Sequence, residues 1–546
     1  MDHPSQIQSI LSIMTNAEIW IVPTHNPEGL SVVHGFYDEL NQFNQDVYYR
    51  KNKYDANNNG VFDFVIGIGN DYDGVDLNRN YDFNWIFGDA IYSTDSGCGA
   101  NPSYIANYDY YRGPAPFSES EVVAIRDFVL SKNFLLSIAY HSSRSGCVAE
   151  KVIYPWEWDV NKKSPDFDII SRLGFEMSQL LPKEAESGFY ASASSISRRG
   201  NAHDWTYANT GCIQYLVEVG TENMQSSDVQ VIEETIEKNI MSALHLLKRT
   251  AGTNIQNGPE KYQITGLITD AATGAPLQAE VWIDELNGPM LKPRYSDEFG
   301  RYRRLLIEGT YNINFKLFGY ENQVHTFVPS SSQITQYDVL MQPKDYYNLS
   351  IDLELPAVFD ESLFTVINSE TYNDTIIGNN NLEFNLPEDN YDIMIYSDNL
   401  FPESFTINLD SNTELFKDLK WKSTIFYDDF SSSNNWANEG WSIDNGVLST
   451  QSDLLYDNNL DIHLTSYKVF EPGDYVAKAN LKREIEWDND YLNIGFSTSS
   501  DSFVGETFSD HEYQWIDRFI PLALNELGNF SFNFVSDASL DYRGVN

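Results

Sequence analysis

The most specific chemical signal in the sequence is an asparagine next to an arginine, Asn78-Arg79, inside the string GVDLNRNY at residues 74–81. An amide beside a planar guanidinium offers a fork of hydrogen-bond donors that fits a carboxylate, such as the free C-terminus of a peptide. An isolated pair of this kind is also explained by a capped turn with an exposed arginine. The surrounding sequence must decide between the two interpretations.

Three short apolar runs, residues 18–22, 134–140 and 213–217, each lead into polar residues that can do chemistry. Short continuous apolar runs are typical of strands that are covered on both faces of a sheet. His141 follows the second run and Glu218 ends the third. Both side chains are therefore expected at strand ends.

Helical patterns lie between these runs. Ser118 and Glu121 have the spacing of a capping box, and residues 227–230 open a second helix. The apolar stripe predicted for that helix consists of Ile232, Ile236, Ile240 and Leu247. Residues 1–250 are therefore predicted to form an α/β domain.

Beyond a linker at residues 251–260, helical periodicity gives way to short alternating strands divided by turn residues. A turn-then-strand pattern at residues 308–315 recurs at 388–395, which predicts two small β-sandwiches in tandem, at 261–343 and 344–421. A third β module is expected at 422–546. The predicted fold is multidomain, an α/β domain followed by all-β sandwich domains.

Composition excludes several classes of protein. The 546 residues include 35 Lys and Arg against 80 Asp and Glu, a net charge of −45, which repels phosphate backbones and makes nucleic acid an unlikely partner. No apolar stretch is long enough for a membrane span, and 42% hydrophobic residues are too many for a disordered chain. Cys98, Cys147 and Cys212 cannot form a disulfide framework; one bridge and a free thiol is the alternative.

An ordered series of motifs gives the Asn-Arg pair its context. The series is NPEG at 26–29, YRKN at 49–52, the string at 74–81, YRGPAPFSE at 111–119, His141-Ser142, and His203-Asp204-Trp205 followed by Glu218. Together the motifs resemble the M14 family of zinc metallocarboxypeptidases over residues 1 to about 250. The resemblance implies a mixed eight-stranded sheet with helices on both sides, and removal of C-terminal amino acids from peptides.

The resemblance also implies roles for single residues. His141 matches the third zinc ligand of the family. Glu218 matches the general base that takes a proton from the zinc-bound water, and Arg50 matches the residue that stabilises the oxyanion. Asn78 and Arg79 match the clamp on the substrate's terminal carboxylate.

Three departures from the family limit what the resemblance implies. The other two zinc ligands belong to an HxxE motif, which does not occur in this sequence, and His25 and His34 are interpreted as structural. The sequence is therefore expected to begin partway into the catalytic domain, with Asp76 lacking the histidine that it would orient. A chain with one zinc ligand is expected to be inactive.

The other two departures concern substrate binding. Ile196 stands where many family members have a tyrosine that closes over the substrate, and Tyr190 could replace it only after a loop shift. His203 stands at the floor of the specificity pocket, near Arg198 and Arg199. This basic cluster predicts a preference for acidic side chains at mildly acidic pH, where His203 is protonated; loop residues that face solvent are the alternative.

Residues 55–63 place oxygen side chains at positions 1, 3, 5 and 9 of a loop with Gly60 at position 6, as calcium loops do. Ile66 stands at position 12, where the pattern needs a carboxylate. A plain turn between Asp55 and Asp63 is the favoured interpretation, and a Ca²⁺ site is the alternative.

The β modules carry weaker resemblances. Residues 262–277, 297–302 and 309–311 resemble the transthyretin-like, carboxypeptidase regulatory-like domain. The last module resembles a jelly-roll of the MAM or laminin-G type, on the Asp428-Asp429-Phe430 string and on Trp436 and Trp441. Such modules bind glycans or proteins, or only space domains.

The sequence thus predicts a fragment of a secreted or cell-surface zinc carboxypeptidase that acts on peptide or protein C-termini. The alternative is a non-catalytic peptide-binding, glycan-binding or adhesion protein built on a degenerate carboxypeptidase scaffold. Glu218 separates the two hypotheses, because a binding protein has no need of a general base.

Overall fold

The structure is a computed structural model, and it describes residues 4–67, 72–88, 110–142, 149–184, 187–196, 198–220, 228–251, 262–378, 380–450, 456–500, 502–538 and 544–545. The chain divides into two compact units, Met1–Lys316 with Asn322–Gln342, and Leu317–Glu321 with Pro343–Asn546. Within the first unit, a helix-containing part is followed by a β-sandwich. No helix among these residues is long and apolar enough to cross a membrane.

The first part of the first unit combines helices with a mixed sheet. Its helices are α1 (Pro4–Asn16), α2 (Pro27–His34), α3 (Ser120–Leu130), α4 (Phe167–Ser178), α5 (Ala202–Thr210) and α6 (Val229–Ala251). Its strands are β1 (Phe36–Tyr37), β2 (Phe43–Asn44), β3 (Leu136–Ser142), β4 (Lys151–Tyr154), β5 (Glu157–Asp159), β6 (Lys162–Lys163), β7 (Ala191–Ser194) and β8 (Ile213–Val219). The order in the sheet is β3-β8-β4-β7, with β3 parallel to β8 and β4 antiparallel to it. The predicted mixing of helices and strands is confirmed.

The sheet among the described residues has four strands rather than eight, and β3 lies at its end. The predicted strand at residues 18–22 is wrong, because this segment pairs with no strand in the described part of the chain. Its apolar side chains are exposed, Ile21 to 81%.

Both predicted helices form, but with different details. Glu119 rather than Ser118 caps α3, and no side-chain hydrogen bond closes the expected capping box. In α6, Ile232 and Ile236 of the predicted apolar stripe are exposed, whereas Leu246 and several polar residues are buried.

The second part of the first unit is a β-sandwich of two small sheets. Its strands are β9 (Gln263–Asp270), β10 (Glu280–Ile283), β11 (Arg301–Leu305), β12 (Tyr311–Lys316), β13 (Gln323–Phe327), β14 (Thr335–Gln336) and β15 (Val339–Met341). One sheet has the order β10-β12-β13; the other has β11-β9-β14, with β15 also on β9. Leu305 of β11 lies in the same buried cluster as Ile213 and Tyr215 of β8. The sandwich therefore shares a core with the mixed sheet.

The second unit is entirely β. Its strands are β16 (Tyr346–Glu354), β17 (Phe364–Ser369), β18 (Tyr372–Ile377), β19 (Asn381–Pro387), β20 (Asp389–Tyr396), β21 (Glu403–Leu409), β22 (Thr413–Asp418), β23 (Trp436–Glu439), β24 (Ser442–Asp444), β25 (Val447–Ser449), β26 (Asp461–Phe470), β27 (Gly473–Glu484), β28 (Tyr491–Thr498), β29 (Phe503–Phe508), β30 (His511–Leu524), β31 (Gly528–Val535) and β32 (Gly544–Val545). They form two groups of sheets, β16–β22 and β23–β32, each around its own buried apolar cluster. The β-rich character of this region is confirmed, while the boundaries at 261–343, 344–421 and 422–546 stay predictions. Most of the predicted linker, with Cys98 and Cys147, lies outside the described residues.

Candidate active site

The site is centred on two neighbouring strand ends of the mixed sheet. His141 of β3 and Glu218 of β8 are direct partners in the parallel pairing of these strands. Partners in a parallel pair direct their side chains to the same face of the sheet. The structure therefore brings together two residues that are 77 positions apart in the chain.

Burial controls the protonation of both residues. Together with the positive charge of Arg50, it lowers the pKa of His141 to about 4. Burial also raises the pKa of Glu218 to about 7, although Arg50 and Arg79 oppose this shift. A neutral imidazole thus lies beside a carboxyl group that can exchange its proton near neutral pH.

The Asn78-Arg79 pair lies in a short 3₁₀ turn, Leu77–Arg79. Asp76 caps this turn by accepting a hydrogen bond from the backbone N–H of Asn78 at 3.1 Å, and it also accepts one from Arg50 Nη2 at 2.6 Å. Asp76, expected to lack a partner, therefore pairs with the predicted oxyanion-stabilising residue.

A residue that the sequence analysis missed organises the two arginines. The ring of Tyr110 lies 4.9 Å from the guanidinium carbon of Arg50 and 5.4 Å from that of Arg79. Such cation–π contacts hold guanidinium groups in place without occupying their N–H donors. Tyr110 directly precedes the motif at 111–119, but an aromatic residue beside a motif gives no distinct signal by itself.

Helix α5 and its N-cap residue contact the predicted clamp residues, Asn78 and Arg79. The backbone N–H of Ala202 donates to Asn78 Oδ1 at 2.8 Å, and Arg79 Nη1 donates to Asn201 Oδ1 at 3.1 Å. Gly200 has a positive φ of +69°, and a Cβ there would lie 2.5 Å from the carbonyl oxygen of Arg79. Only glycine allows the loop before α5 to approach the clamp this closely.

His203 and Asp204 are buried in the first turn of α5. Among the described residues, neither ring nitrogen of His203 nor Asp204 Oδ1 has a hydrogen-bond partner, and His203 Nε2 lies 3.7 Å from Asp204 Oδ1. Burial raises the pKa of Asp204 to about 7, although Asn201 and Ser195 donate hydrogen bonds to its other oxygen at 3.1 Å.

Burial lowers the pKa of His203 to about 3, and nearby His141 and Arg79 contribute. The expectation that His203 is protonated at mildly acidic pH is therefore wrong, because a buried imidazole near other basic groups stays neutral. The guanidinium carbon of Arg198, also predicted beside it, lies 4.4 Å from the ring of Trp158. His203 stays a candidate specificity residue, as a neutral side chain.

Tyr190 and Ile196 do not supply a phenol at the site. Tyr190 is buried, and its hydroxyl accepts a hydrogen bond from the backbone N–H of Gly220 at 2.8 Å. Ile196 is 80% exposed. His25, interpreted from sequence as structural, lies close enough to His141 to lower its pKa.

The residues around His141 do not form a zinc site in the described part of the chain. Structural and catalytic zinc need at least three protein ligands. Among the described residues, three possible ligand atoms come within 4.8 Å of one another only at Glu486, Asp490 and Asp537 of the second unit. The residues present therefore do not fit the metal at the predicted site.

The loop at residues 55–63 closes on itself. The carboxylate of Asp55 accepts hydrogen bonds from the backbone N–H groups of Asn59 and Gly60, and Asn57 and Asn59 donate to Asp63. These contacts suit the plain turn, and the Ca²⁺ alternative stays a prediction.

Comparison with known proteins gives a family for the first part of the chain. Residues 5–242 match the family model for zinc carboxypeptidase, peptidase M14. The chain is 25% identical over 266 residues to carboxypeptidase D of Anas platyrhynchos, covering 44% of this chain and 18% of that protein. It is 29% identical over 146 residues to carboxypeptidase B of Astacus astacus, covering 26% and 36%. Over 368 residues it is 23% identical to the carboxypeptidase N catalytic chain of Mus musculus, covering 62% and 68%.

The chain thus spans less than two-fifths of the carboxypeptidase D and B relatives that it matches. Among solved structures, bovine thrombin-activatable fibrinolysis inhibitor in complex with tick carboxypeptidase inhibitor matches at 17% identity. That match covers 37% of this chain and 62% of the other, with a TM-score of 0.26, which is too low to carry an argument.

Proposed function

Since residues 5–242 match the zinc carboxypeptidase family model, we propose that this chain is built on a metallocarboxypeptidase, an enzyme that removes C-terminal amino acids from peptides. The observation that carries the proposal is the pairing of His141 with Glu218 at adjacent strand ends. Arg50, Asn78 and Arg79 add positive charge and hydrogen-bond donors beside this pair. In this proposal Asn78 and Arg79 bind the terminal carboxylate, Arg50 stabilises the oxyanion and Glu218 is the general base.

The zinc of the family would be held by His141 with further ligands. The described residues bring no second or third ligand to His141. We propose instead that the chain as given binds peptide C-termini and does not hydrolyse them. Arg79 supports this, since its Nε has no hydrogen-bond partner among the described residues and is free to meet a carboxylate.

A second candidate is a peptide-binding or adhesion protein without catalytic activity. The lone imidazole at the predicted zinc site favours it, whereas Glu218 with a pKa of about 7 favours an origin in catalysis. A secreted or cell-surface location, and a glycan or protein ligand for the C-terminal jelly-roll, stay predictions.

Peptide titration tests the proposal. A peptide with a free C-terminal carboxylate should bind, and the same peptide with an amidated C-terminus should bind much more weakly. Arg79→Ala should weaken binding of the free acid by about 10–100-fold, because hydrogen bonds to charged groups contribute about 1.5–3 kcal/mol. The matched control is Arg172→Ala, which removes a positive charge at an exposed ion pair with Glu308.

Glu218→Gln separates recognition from catalysis. Binding of the free acid should persist in this variant, because the base is proposed to act on water rather than on the terminal carboxylate. Equal binding of acid and amide, or loss of binding in Glu218→Gln but not in Arg79→Ala, would contradict the assigned roles.

A further inference from the structure

A buried acid joins the β-sandwich of residues 262–342 to helix α5. Asp166, only 3% exposed, precedes α4. It accepts hydrogen bonds from Arg294 Nη1 at 3.1 Å, from Arg304 Nη2 at 3.1 Å and from the hydroxyl of Tyr207 in α5 at 2.6 Å. Two arginines of the sandwich and one tyrosine of the helix therefore share a single carboxylate.

The carboxylate is ionised at neutral pH. Burial alone would raise the pKa of Asp166, but Arg304, Arg294 and the Tyr207 hydroxyl together hold it below its usual value. The attraction between the acid and the two arginines thus persists throughout the physiological range.

The sandwich also contacts the last turn of α5. Gly211 ends the helix with a φ of +75°, and its N–H donates to the carbonyl oxygen of Tyr207 at 2.9 Å. A Cβ at this position would lie 2.4 Å from Arg294 Nε, so glycine lets the guanidinium reach the helix end. The N–H of Lys292 donates to the carbonyl oxygen of Ala208 at 2.8 Å. A cation and a donor at a helix C-terminus are both stabilising.

The opposite end of α5 contacts the carboxylate clamp. Ala202 donates to Asn78, and Asn201 accepts from Arg79, as described above. The helix has nine residues and is therefore about 13 Å long. A helix this short is expected to move as one rigid piece. A displacement of Tyr207 would therefore also displace Ala202 and its hydrogen bond to Asn78.

We propose that the sandwich positions the carboxylate clamp through α5, with Asp166, Arg294 and Arg304 as positioning residues. The proposal rests on the proposed function of Asn78 and Arg79. In this proposal, residues 262–342 hold the binding site in place and are not an independent appended module.

The test compares two ion pairs that join the same two parts of the first unit. Arg304→Gln weakens the buried pair, and Arg172→Gln removes the exposed pair with Glu308. In the full chain, amide hydrogen exchange in residues 203–210 should become at least tenfold faster in Arg304→Gln, with α3 unchanged. Affinity for a free-acid peptide should fall several-fold. Arg172→Gln should change neither, and Arg304→Lys should restore part of both.

The hydrogen-exchange result does not depend on the proposed function, because the measurement needs no peptide. If wild-type protein binds no peptide, the clamp assignment fails, but the exchange data still decide whether the sandwich holds α5. Unchanged exchange in α5, or an equal increase in α3 and α5, would overturn the proposal. If Arg304→Gln fails to fold, Tyr207→Phe removes only the hydroxyl that binds Asp166 and should give the same local increase.

Discussion

A buried aspartate lies near each end of helix α5, and the surroundings of the two carboxylates differ. The C-terminal end of α5, which contacts the β-sandwich, is called the sandwich end. There, both oxygens of Asp166 accept hydrogen bonds from arginines, and the pKa of Asp166 is held below its usual value. The N-terminal end of α5, which contacts Asn78 and Arg79, is called the clamp end. There, one oxygen of Asp204 has no hydrogen-bond partner among the described residues, and burial raises the pKa of Asp204 to about 7. Arg294 Nε and Nη2 are also buried without a hydrogen-bond partner among the described residues, so the contrast concerns the two carboxylates: one is held ionised by arginines, and the other keeps an unpaired oxygen.

The neighbours of Asp204 support this contrast. The ring nitrogens of His203 and the Nε of Arg79 are also buried without a hydrogen-bond partner in the part of the chain that the structure describes. Unsatisfied groups are destabilising by about 1–3 kcal/mol each, which a protein tolerates where a ligand completes the network. At the clamp end these groups lie beside the proposed carboxylate-binding pair, Asn78 and Arg79, and the ligand is therefore expected there.

The largest expected effect comes from removing the ion pairs of Asp166 at the sandwich end, and it is an effect on stability. Asp166→Asn should lower the free energy of unfolding of the first unit by about 3–5 kcal/mol at pH 7, because two buried arginines lose their shared anion. Asp168→Asn, an exposed aspartate two residues away, is the matched control and should cost less than about 1 kcal/mol. Thermal and denaturant unfolding measure both. Equal stability of the two variants would remove the contrast between the two ends.

The second effect has the opposite sign and depends on pH. The pKa of Asp204 is raised on folding, so its contribution to stability is fully present below the unfolded value of about 3.9 and is lost as pH rises through about 7. Asp204→Asn removes this loss. The variant should gain up to about 4 kcal/mol relative to wild type between pH 4 and pH 8, since the folded and unfolded pKa values differ by about three and a pKa difference of one corresponds to about 1.4 kcal/mol.

Unfolding at a series of pH values checks this prediction. Asp166→Asn serves as the comparison, because the pKa of Asp166 is lowered and its stabilisation is lost only as pH falls through that lowered value. A constant difference between Asp204→Asn and wild type at all pH values would mean that folding does not raise the pKa of Asp204.

The smallest effect concerns the support of the clamp arginines. Tyr110→Leu removes the ring beside Arg50 and Arg79 and should weaken binding of a free-acid peptide by about 0.5–1 kcal/mol, roughly two- to fivefold. Isothermal titration is precise enough for this change. An effect as large as that of Arg79→Ala would show that Tyr110 contacts the ligand directly.

Some of this site could be predicted from the sequence. Strands β3 and β8 follow from short apolar runs, and the order of motifs gives the family. The ion pairs of Asp166 could not be predicted, because Arg294 and Arg304 lie 128 and 138 residues away and nothing local marks them as partners. The protonation state of His203 could not be predicted either, because it depends on burial and on His141 and Arg79, which belong to other elements.

The failed strand at residues 18–22 has a different cause. Its apolar composition favours a strand, but a strand forms only beside a partner, and the described residues offer none to this segment. Composition reports the tendency of a segment, whereas pairing is decided by the rest of the fold.

The most direct test of the account observes the two kinds of arginine at once. In the ¹⁵N spectrum of arginine side chains, a peptide with a free C-terminus should shift the Nε–Hε resonance of Arg79 and leave those of Arg294 and Arg304 in place. The amidated peptide should shift none of them. Arg79→Lys and Arg304→Lys assign the resonances by removing them. If the free acid leaves Arg79 unchanged at saturation, or if acid and amide cause the same shifts, the clamp end of α5 is not where a terminal carboxylate binds.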